Sequence, residues 1–167
     1  MIPIISVVGK TNVGKTTFIE QLIRELKTRG YRIATIKHDV HKFEIDHKGK
    51  DTWRHTQAGA DTVIIASSSK MAMIKKIDRE YGLDELQEWL LQDVDLIITE
   101  GYKRKDKPKI EISRKAVSQE LLCRREELLA IVSDQSFTIG VPIFDLEDAS
   151  GVADLIEEKI LTYHKGG

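Results

Sequence analysis

The sequence predicts an α/β fold in which helices alternate with the strands of a mostly parallel sheet. Three observations predict it: short apolar runs without polar alternation, amphipathic stretches between those runs, and a glycine-containing turn between the first run and the first helix. Apolar runs of this kind are typical of strands that are buried on both faces of a parallel sheet. The length of 167 residues and the scattered prolines predict one domain over residues 1–167.

The first predicted β-α-β unit lies near the amino terminus. Residues 2–8 (IPIISVV) are predicted to form a buried strand. Residues 16–29 carry apolar side chains every three or four positions, which predicts an amphipathic helix, and Gly30 is suited to end it. Residues 32–38 (RIATIKH) are then predicted to form a second strand parallel to the first.

The alternation continues through the rest of the chain. Helices are predicted at residues 51–60, 83–92, around 121–127 and at 151–164; strands are predicted at 62–66, 71–75, 96–99, 109–112, 128–132 and 141–144. This order of elements is typical of α/β proteins.

Composition excludes several classes of function. The 26 Lys and Arg against 27 Asp and Glu give a net charge of −1, so no global field attracts nucleic acid or an anionic membrane. The single cysteine, Cys123, cannot form an intramolecular disulfide, as is usual in a reducing compartment. No apolar run approaches the ~18 residues of a membrane span. We therefore expect a cytoplasmic protein without a nucleic-acid or membrane partner.

Residues 9–16 (GKTNVGKT) match the phosphate-loop pattern G-x-x-x-x-G-K-[ST], between a predicted strand and a predicted helix. The glycines allow the backbone to curl so that successive N–H groups face an anion, and the positive end of the helix dipole adds to the attraction. The residues expected to contact a nucleotide are Gly9, Lys10, Asn12, Val13, Gly14, Lys15, Thr16 and Thr17.

Within this loop the residue types suggest separate roles. Lys15 is suited to neutralise the β- and γ-phosphates, the Thr16 hydroxyl to ligate Mg²⁺, and Thr17 to reach the α-phosphate. Lys10 occupies the position where one branch of phosphate-loop proteins carries a lysine that crosses a dimer interface to the partner's nucleotide. The alternative is a surface lysine attracted to its own nucleotide. The position of Lys10 is therefore treated only as a hint that the protein is a homodimer.

Residues 95–101 (DLIITEG) form a hydrophobic strand with an acid at each end. Five steps of ~3.3 Å separate the two acids by roughly 16 Å, so only Glu100 can lie near the phosphate loop. We expect Glu100 to assist Mg²⁺ or the attacking water, and Gly101 to allow the backbone close to the γ-phosphate. The alternative is a strand end followed by a plain turn.

A polar stretch follows the second predicted strand. His38 and His41 have a spacing that can hold a metal ion, although it is not diagnostic. Asp46 is a candidate to position water or Mg²⁺, or to activate a substrate hydroxyl if the protein is a kinase. Asp51 can act in the same way as Asp46 or simply cap a helix.

Two further segments are candidates for ligand contacts. Asp134 follows a buried strand, where its carboxylate can accept both N–H groups of a guanine edge and so favour GTP; an ordinary turn aspartate is the alternative. Residues 102–109 (YKRKDKPK) form a basic run suited to an anionic ligand or an acidic protein surface, or simply a solvated loop.

Four segments, in order between residues 9 and 134, together resemble the molybdopterin-guanine dinucleotide biosynthesis protein B family. They are GKTNVGKTT, IKHDVHKFEIDHKGKDTWRHTQAGAD, DLIITEGYK and IVSD. The resemblance implies a dimeric phosphate-loop GTPase with weak hydrolysis, whose partners are the guanylyltransferase that completes the molybdenum cofactor and other cofactor-assembly proteins. It also implies Gly14, Lys15, Thr16 and Thr17 at the phosphates and Mg²⁺, Glu100 and Gly101 at the terminal phosphate, and Asp134 near the base; Asp46, Gly49, Lys50 and Asp51 match the family's loop.

The expected function is therefore binding and slow hydrolysis of GTP·Mg²⁺ by an adapter in molybdenum-cofactor assembly. Lys15, Glu100 and Asp46 are the expected catalytic residues, and Thr16 and Glu100 the expected metal ligands. Slow hydrolysis is expected because these motifs contain neither an arginine finger nor a water-orienting glutamine. The alternatives are a phosphate-loop kinase of small molecules and a nucleotide-dependent binding module without turnover.

Overall fold

The structure is a computed structural model that describes residues 2–38, 43–90, 92–102 and 106–162. Its strands are β1 (Ile4–Val8), β2 (Ile33–Lys37), β3 (Thr62–Ala66), β4 (Met71–Lys75), β5 (Leu96–Glu100), β6 (Lys109–Ser113), β7 (Leu128–Ser133) and β8 (Ile143–Phe144). Its α-helices are α1 (Lys15–Thr28), α2 (Asp51–Gln57), α3 (Leu83–Leu90) and α4 (Ala149–Ile156).

The chain divides into two compact units. The larger unit consists of Met1–His38 and Gln87–Gly167, and the smaller unit of Asp39–Leu86. That residues 1–167 act as one nucleotide-binding domain stays a prediction, since two compact units of one chain can serve a single site.

The larger unit contains a six-stranded sheet in the order β2-β5-β1-β6-β7-β8, and every neighbouring pair is parallel. All five residues of β1 are buried, as are four of the five in β5. Strands without polar alternation are thus covered on both faces, and the predicted α/β fold with a mostly parallel sheet is confirmed.

Helices α1 and α4 pack against each other and on the same face of this sheet. The α1 side chains that enter the core are Phe18, Ile19, Leu22 and Leu26, and those of α4 are Ala149, Val152, Ala153 and Ile156. Gly30 ends α1 in a left-handed conformation (φ +89°), where its N–H donates to the Lys27 carbonyl and Tyr31 N–H to that of Leu26. The predicted helix and its glycine stop are both found.

The smaller unit contains α2 and an antiparallel hairpin of β3 and β4, which forms a two-stranded sheet of its own. Both strands lie where the sequence predicts them, but they do not belong to the parallel sheet. Helix α2 begins at Asp51, and the cap position before it is Lys50 without a side-chain cap. The idea that Asp51 caps this helix is therefore wrong.

The helix predicted around residues 121–127 is also wrong. Only Arg125–Glu127 form a single 3-10 turn there. The buried carboxylate of Glu111 accepts the backbone N–H groups of Leu122 (2.6 Å) and Cys123 (2.9 Å), so these donors are bound to β6 instead of to helical carbonyls.

The final helix differs from its prediction at both ends. Helix α4 begins earlier, at Ala149, because the Asp148 carboxylate accepts the Gly151 N–H (2.8 Å) as its cap. A π-helical segment, Glu157–Leu161, continues it, and residues 163 and 164 lie outside the described part of the chain. Among the described helices, none combines the length and apolar character needed to cross a lipid bilayer.

Candidate nucleotide-binding site

The predicted phosphate and base residues meet at one edge of the larger sheet. Strands β1, β5, β6 and β7 are parallel, so their carboxyl ends point the same way. The residues that follow these ends are the phosphate loop after β1, Gly101 after β5, Arg114 after β6 and Asp134 after β7. Ligands of open α/β sheets bind at this edge.

The phosphate loop has the backbone conformation that its glycines allow. Gly14 (φ +94°) and Asn12 (φ +62°) both lie in the left-handed region. Gly9 has no room for a side chain, because a Cβ there would lie 2.5 Å from the Ile112 carbonyl oxygen. The loop is therefore pressed against the backbone of β6, and its curl depends on glycine at both ends.

Lys15 and the first turn of α1 complete the loop. The Lys15 ammonium donates to the Lys10 carbonyl (2.8 Å) and contacts that of Gly9 (3.3 Å), so it lies across the loop. Gly14 is the cap residue of α1, and Thr16 and Thr17 are exposed in its first turn. The first N–H groups of a helix lack intrahelical partners, which makes this end suited to an anion.

Glu100 lies beside Thr16, as the distance argument from the sequence requires. The Thr16 hydroxyl donates to Glu100 Oε1 over 3.2 Å. Asp95, at the far end of β5, instead pairs with Arg32 (3.0 Å). Hydroxyl and carboxylate oxygens are the hard donors that Mg²⁺ prefers, so this pair fits a magnesium ion.

Gly101 follows Glu100 directly, in a bend at the end of β5. Its φ is +99°, and a Cβ would lie 2.8 Å from the carbonyl oxygen of His38, the residue that follows β2. Any side chain at this position would push β5 and β2 apart at the edge of the site. The glycine is thus required by packing on the protein side, whatever it does toward a phosphate.

Lys10 is bound within its own chain. Its ammonium donates to the hydroxyl of Ser118 (2.5 Å), which lies in the connection after β6. This contact involves no nucleotide, so a role of Lys10 at its own nucleotide site stays a prediction. The reach to a partner's nucleotide stays a prediction.

Asp134 is exposed at the end of β7, and one of its oxygens is already used. Its Oδ1 accepts the backbone N–H of Lys115 over 2.7 Å. A carboxylate has about four acceptor positions, so Oδ2 and the second lone pair of Oδ1 are enough for two N–H donors of a base.

The connection after β6 lies against the phosphate loop, although none of its residues was predicted as part of the site. Arg114 Nε donates to the Val13 carbonyl (2.9 Å). Gln135 Nε2 donates to Ser113 Oγ (3.0 Å) and to the Ser118 carbonyl (2.8 Å). The available signal was an arginine directly after a buried strand, at the edge where ligands bind.

Asp46 belongs to the smaller unit. Its Oδ1 accepts the His47 backbone N–H (2.8 Å) and the Thr52 hydroxyl (3.0 Å), while its Oδ2 is buried and has no hydrogen-bond partner among the described residues. These bonds hold the loop before α2. A catalytic role for Asp46 stays a prediction.

The predicted histidine and lysine sites fall partly on undescribed residues. The His38 ring packs on Tyr102 with a centroid distance of 4.8 Å, and His41 lies outside the described residues. In the described ranges no group of three or more His, Cys, Asp or Glu is placed to hold a metal ion. Residues 103–105 of the basic run are undescribed as well, and Lys109 is buried and paired with Glu127 (2.8 Å), so it is not part of a basic surface.

Comparison with known proteins identifies the family. The family model of molybdopterin guanine dinucleotide synthesis protein B matches residues 4–134. The chain belongs to this family.

The similarity to members of this family, which we call the MobB family, extends over nearly the whole chain. The chain is 33% identical over 164 residues to the molybdopterin-guanine dinucleotide biosynthesis adapter protein of Haemophilus influenzae, covering 98% of this chain and 92% of that protein. A crystal structure of molybdopterin-guanine biosynthesis protein B superposes with a TM-score of 0.73 at 32% identity, over 93% of this chain and 97% of the other. A more distant similarity, 28% over 171 residues, is to GTPase Der of Chlorobium luteolum; it covers 98% of this chain and 38% of Der.

Proposed function

We propose that this member of the MobB family binds GTP·Mg²⁺ at the phosphate loop, hydrolyses it slowly, and acts in the cytoplasm as an adapter in the synthesis of molybdopterin guanine dinucleotide. The observation that carries the proposal is the contact of Thr16 with Glu100 at the mouth of the loop (3.2 Å). It brings a loop hydroxyl and a strand-end carboxylate together, as phosphate-loop proteins do around their metal ion. The biosynthetic role is taken from the relatives, which are adapter proteins of molybdopterin-guanine dinucleotide biosynthesis.

Each protein group has a distinct task in this proposal. The backbone N–H groups of the loop and of the first turn of α1 bind the phosphates, and Lys15 neutralises their charge. Thr16 and Glu100 hold Mg²⁺, which supplies charge neutralisation at the phosphates when bound. Glu100 is also suited to orient the water that attacks the γ-phosphate, and Gly101 allows the chain to approach this phosphate.

Guanine selection is assigned to Asp134. Guanine offers N1–H and N2–H side by side, whereas adenine has no such donor pair. Because one oxygen of Asp134 already binds Lys115 N–H, the carboxylate is held in place before the base arrives. Such prior orientation reduces the entropy that binding costs.

The proposed partners are the guanylyltransferase that completes the cofactor, other assembly proteins, and a second copy of this chain. Support for the second copy comes from the hairpin of the smaller unit. Ile64, Met71 and Met73 are 56%, 70% and 40% exposed, and the hairpin register places them with Ala66 on one side. Exposed apolar side chains on a two-stranded sheet are typical of an interaction surface.

Lys15→Ala tests the phosphate site. We expect the affinity for GTP·Mg²⁺ to fall by at least ~100-fold, because a charge-assisted contact to two phosphates is lost. Lys27→Ala, which removes an exposed lysine at the other end of α1, is the matched control and should change the affinity less than about two-fold. Calorimetry with both variants decides; equal affinities for the two would contradict the proposed site.

A phosphate-release assay separates hydrolysis from the other reactions. The protein is incubated with GTP·Mg²⁺ alone and then with candidate acceptor molecules, and free phosphate and acceptor phosphorylation are both measured. Release without an acceptor is the expected result. Transfer that requires an acceptor would identify a kinase, and binding without either reaction would identify a module without turnover.

Asp134→Asn tests base selection with little structural disturbance. The asparagine Oδ1 can still accept the Lys115 N–H, while the negative charge and one acceptor are lost. We expect the ratio of GTP to ATP affinity to fall by about 10-fold or more, as for the loss of a charge-assisted hydrogen bond. An unchanged ratio, with Asp145→Asn as the control, would show that Asp134 does not read the base.

A further inference from the structure

The guanidinium of Arg114 lies against the phosphate loop. Its Nε donates to the Val13 carbonyl over 2.9 Å. A Cβ on Gly14 would lie 3.4 Å from both Nε and Nη2 of Arg114, so the guanidinium packs closely on the α-carbon of Gly14. The side chain therefore lies against both residues of the peptide unit that joins Val13 to Gly14.

The geometry of that peptide unit explains what the contact does. The Val13 carbonyl and the Gly14 N–H belong to one planar peptide, and in a trans peptide they point to opposite sides. Arg114 therefore holds the carbonyl side and directs the Gly14 N–H away from itself. Without this hold the peptide could rotate, since glycine tolerates conformations that other residues do not.

We propose that Arg114 is a positioning residue that fixes and polarises the Val13–Gly14 peptide so that the Gly14 N–H faces the nucleotide's phosphates. The inference rests on the proposed nucleotide binding and deepens it. A charged donor on the carbonyl withdraws electron density, and the N–H of the same peptide then donates more strongly. Arg114 acts through the loop, from the side opposite the N–H.

Arg114 can do this because its own segment is firmly held. The next residue, Lys115, donates its N–H to Asp134 Oδ1 (2.7 Å). Gln135 binds Ser113 Oγ (3.0 Å) and the Ser118 carbonyl (2.8 Å), on either side of Arg114 in the sequence. A positioning side chain needs such a support, because an arginine on a loose loop would lose more entropy than one bond returns.

The same contacts connect the two halves of the proposed site. Arg114 holds the phosphate loop, and its neighbour Lys115 is bound by the carboxylate assigned to the base. The hydroxyl of Ser118, three residues further along the chain, accepts a hydrogen bond from the Lys10 ammonium. Residues 113–118 therefore join the phosphate side of the site to its base side through direct hydrogen bonds.

The test compares Arg114→Met and Arg114→Lys with Arg24→Met, an exposed arginine on α1 that pairs only with Glu20 in the described contacts. Calorimetry measures the affinities for GTP, GDP and guanosine in the presence of Mg²⁺. We expect Arg114→Met to weaken GTP and GDP alike by ~10- to 100-fold and guanosine by less than about two-fold, with partial recovery in Arg114→Lys. Arg24→Met should bind as the parent does.

Three outcomes would overturn the proposal. Unchanged GTP and GDP affinities would mean that the loop needs no support from Arg114. An equal loss for guanosine would indicate a general structural role. A fall confined to the turnover of GTP, with GDP affinity intact, would mean that Arg114 touches the γ-phosphate as a catalytic residue.

A second measurement keeps the inference separate from nucleotide binding itself. In the ligand-free protein, the NMR shift of the Gly14 amide proton reports the polarisation of its peptide. We expect it to move upfield in Arg114→Met, to recover partly in Arg114→Lys and to stay unchanged in Arg24→Met. If the parent does not bind GTP, the proposed function fails while this shift still tests Arg114; an unmoved Gly14 amide would refute the inference.

Discussion

Glu111 illustrates how one buried side chain shapes the site from a distance. It is 1% exposed in β6, and both carboxylate oxygens accept backbone N–H groups from the connection that follows. A buried charge is tolerated only where such bonds satisfy it. The same connection carries Arg114 and Ser118 at its start, so Glu111 helps to hold the segment that supports the phosphate loop.

The neighbourhood of Glu111 determines the chemistry of the single cysteine. Burial, and then the nearby Glu111 carboxylate, raise the pKa of Cys123 to about 12. At pH 8 the thiolate population is then roughly a thousand-fold below that of an ordinary cysteine. We expect Cys123 to react with iodoacetamide at least ~100-fold more slowly in the native protein than in urea. Mass spectrometry of the labelled protein measures both rates; equal rates would contradict the shifted pKa.

At the scale of single residues, the sequence predicts the position of a side chain wherever one motif specifies both the residue type and its location in the fold. Lys15 and Thr16 are specified by their spacing from Gly9, and Glu100 by strand length. Arg114 was not predictable, because its contact with Val13 depends on β6 lying next to β1. An arginine that follows a strand looks the same in sequence whether it supports a loop or points to solvent.

At the scale of elements, Arg29 joins α1 to α4. It lies just after α1, and its guanidinium binds Asp154 (2.6 Å), Glu157 (2.7 Å) and Glu25 (2.7 Å), with 19% of the side chain exposed. Three carboxylates around one largely buried side chain form a network, which is stronger than an isolated surface pair. Because α1 begins at the phosphate loop, this network stabilises the helix that carries Lys15 and Thr16.

We expect Arg29→Met to reduce the free energy of unfolding by ~1–3 kcal/mol at pH 7, against less than ~0.5 kcal/mol for the exposed Arg24→Met. The Tyr31 hydroxyl, and then Arg29, hold the pKa of Glu157 below its ordinary value of 4.5. The contribution of the Glu157 carboxylate to the free energy of unfolding is therefore complete above pH 4.5, and it is lost as the pH falls through the lowered pKa. Urea unfolding at pH 7 and pH 3 should show a smaller effect at pH 3; an effect that does not shrink would contradict this network.

Elements were predictable where local pattern and tertiary structure agree. The apolar runs of β1, β5 and β7 are buried on both faces, as their sequences indicate. The helix predicted around residues 121–127 does not form, because the Glu111 carboxylate of β6 accepts the N–H groups of Leu122 and Cys123. Strands β3 and β4 were located correctly, yet their pairing was not foreseen, although the connection of four residues, 67–70, is of hairpin length.

At the scale of the whole molecule, the chain separates its chemistry between two units. The larger unit holds the phosphate loop, Glu100 and the connection of residues 113–118 on one sheet edge. The smaller unit carries Asp46 and an apolar hairpin. The sequence predicted the elements and motifs of both units but not the division, since the polar stretch that begins after β2 is equally typical of a loop within one domain.

The hairpin allows the proposed homodimer to be tested without unfolding the smaller unit. Ile64 and Met73 are directly opposite each other in the register of β3 and β4. Replacing them together as Ile64→Glu and Met73→Lys removes the apolar pair and installs an opposite-charge pair, which supports a hairpin.

We expect the parent to have twice the chain mass of 19.0 kDa by light scattering, and the Ile64→Glu, Met73→Lys variant to have the monomer mass, because a charged pair in an apolar interface costs more desolvation than it returns. Lys27→Glu, on the exposed face of α1 in the larger unit, is the control and should remain dimeric. Circular dichroism confirms that the double variant is folded. A parent of monomer mass would refute the dimer, and a folded double variant that stays dimeric would move the interface away from this hairpin.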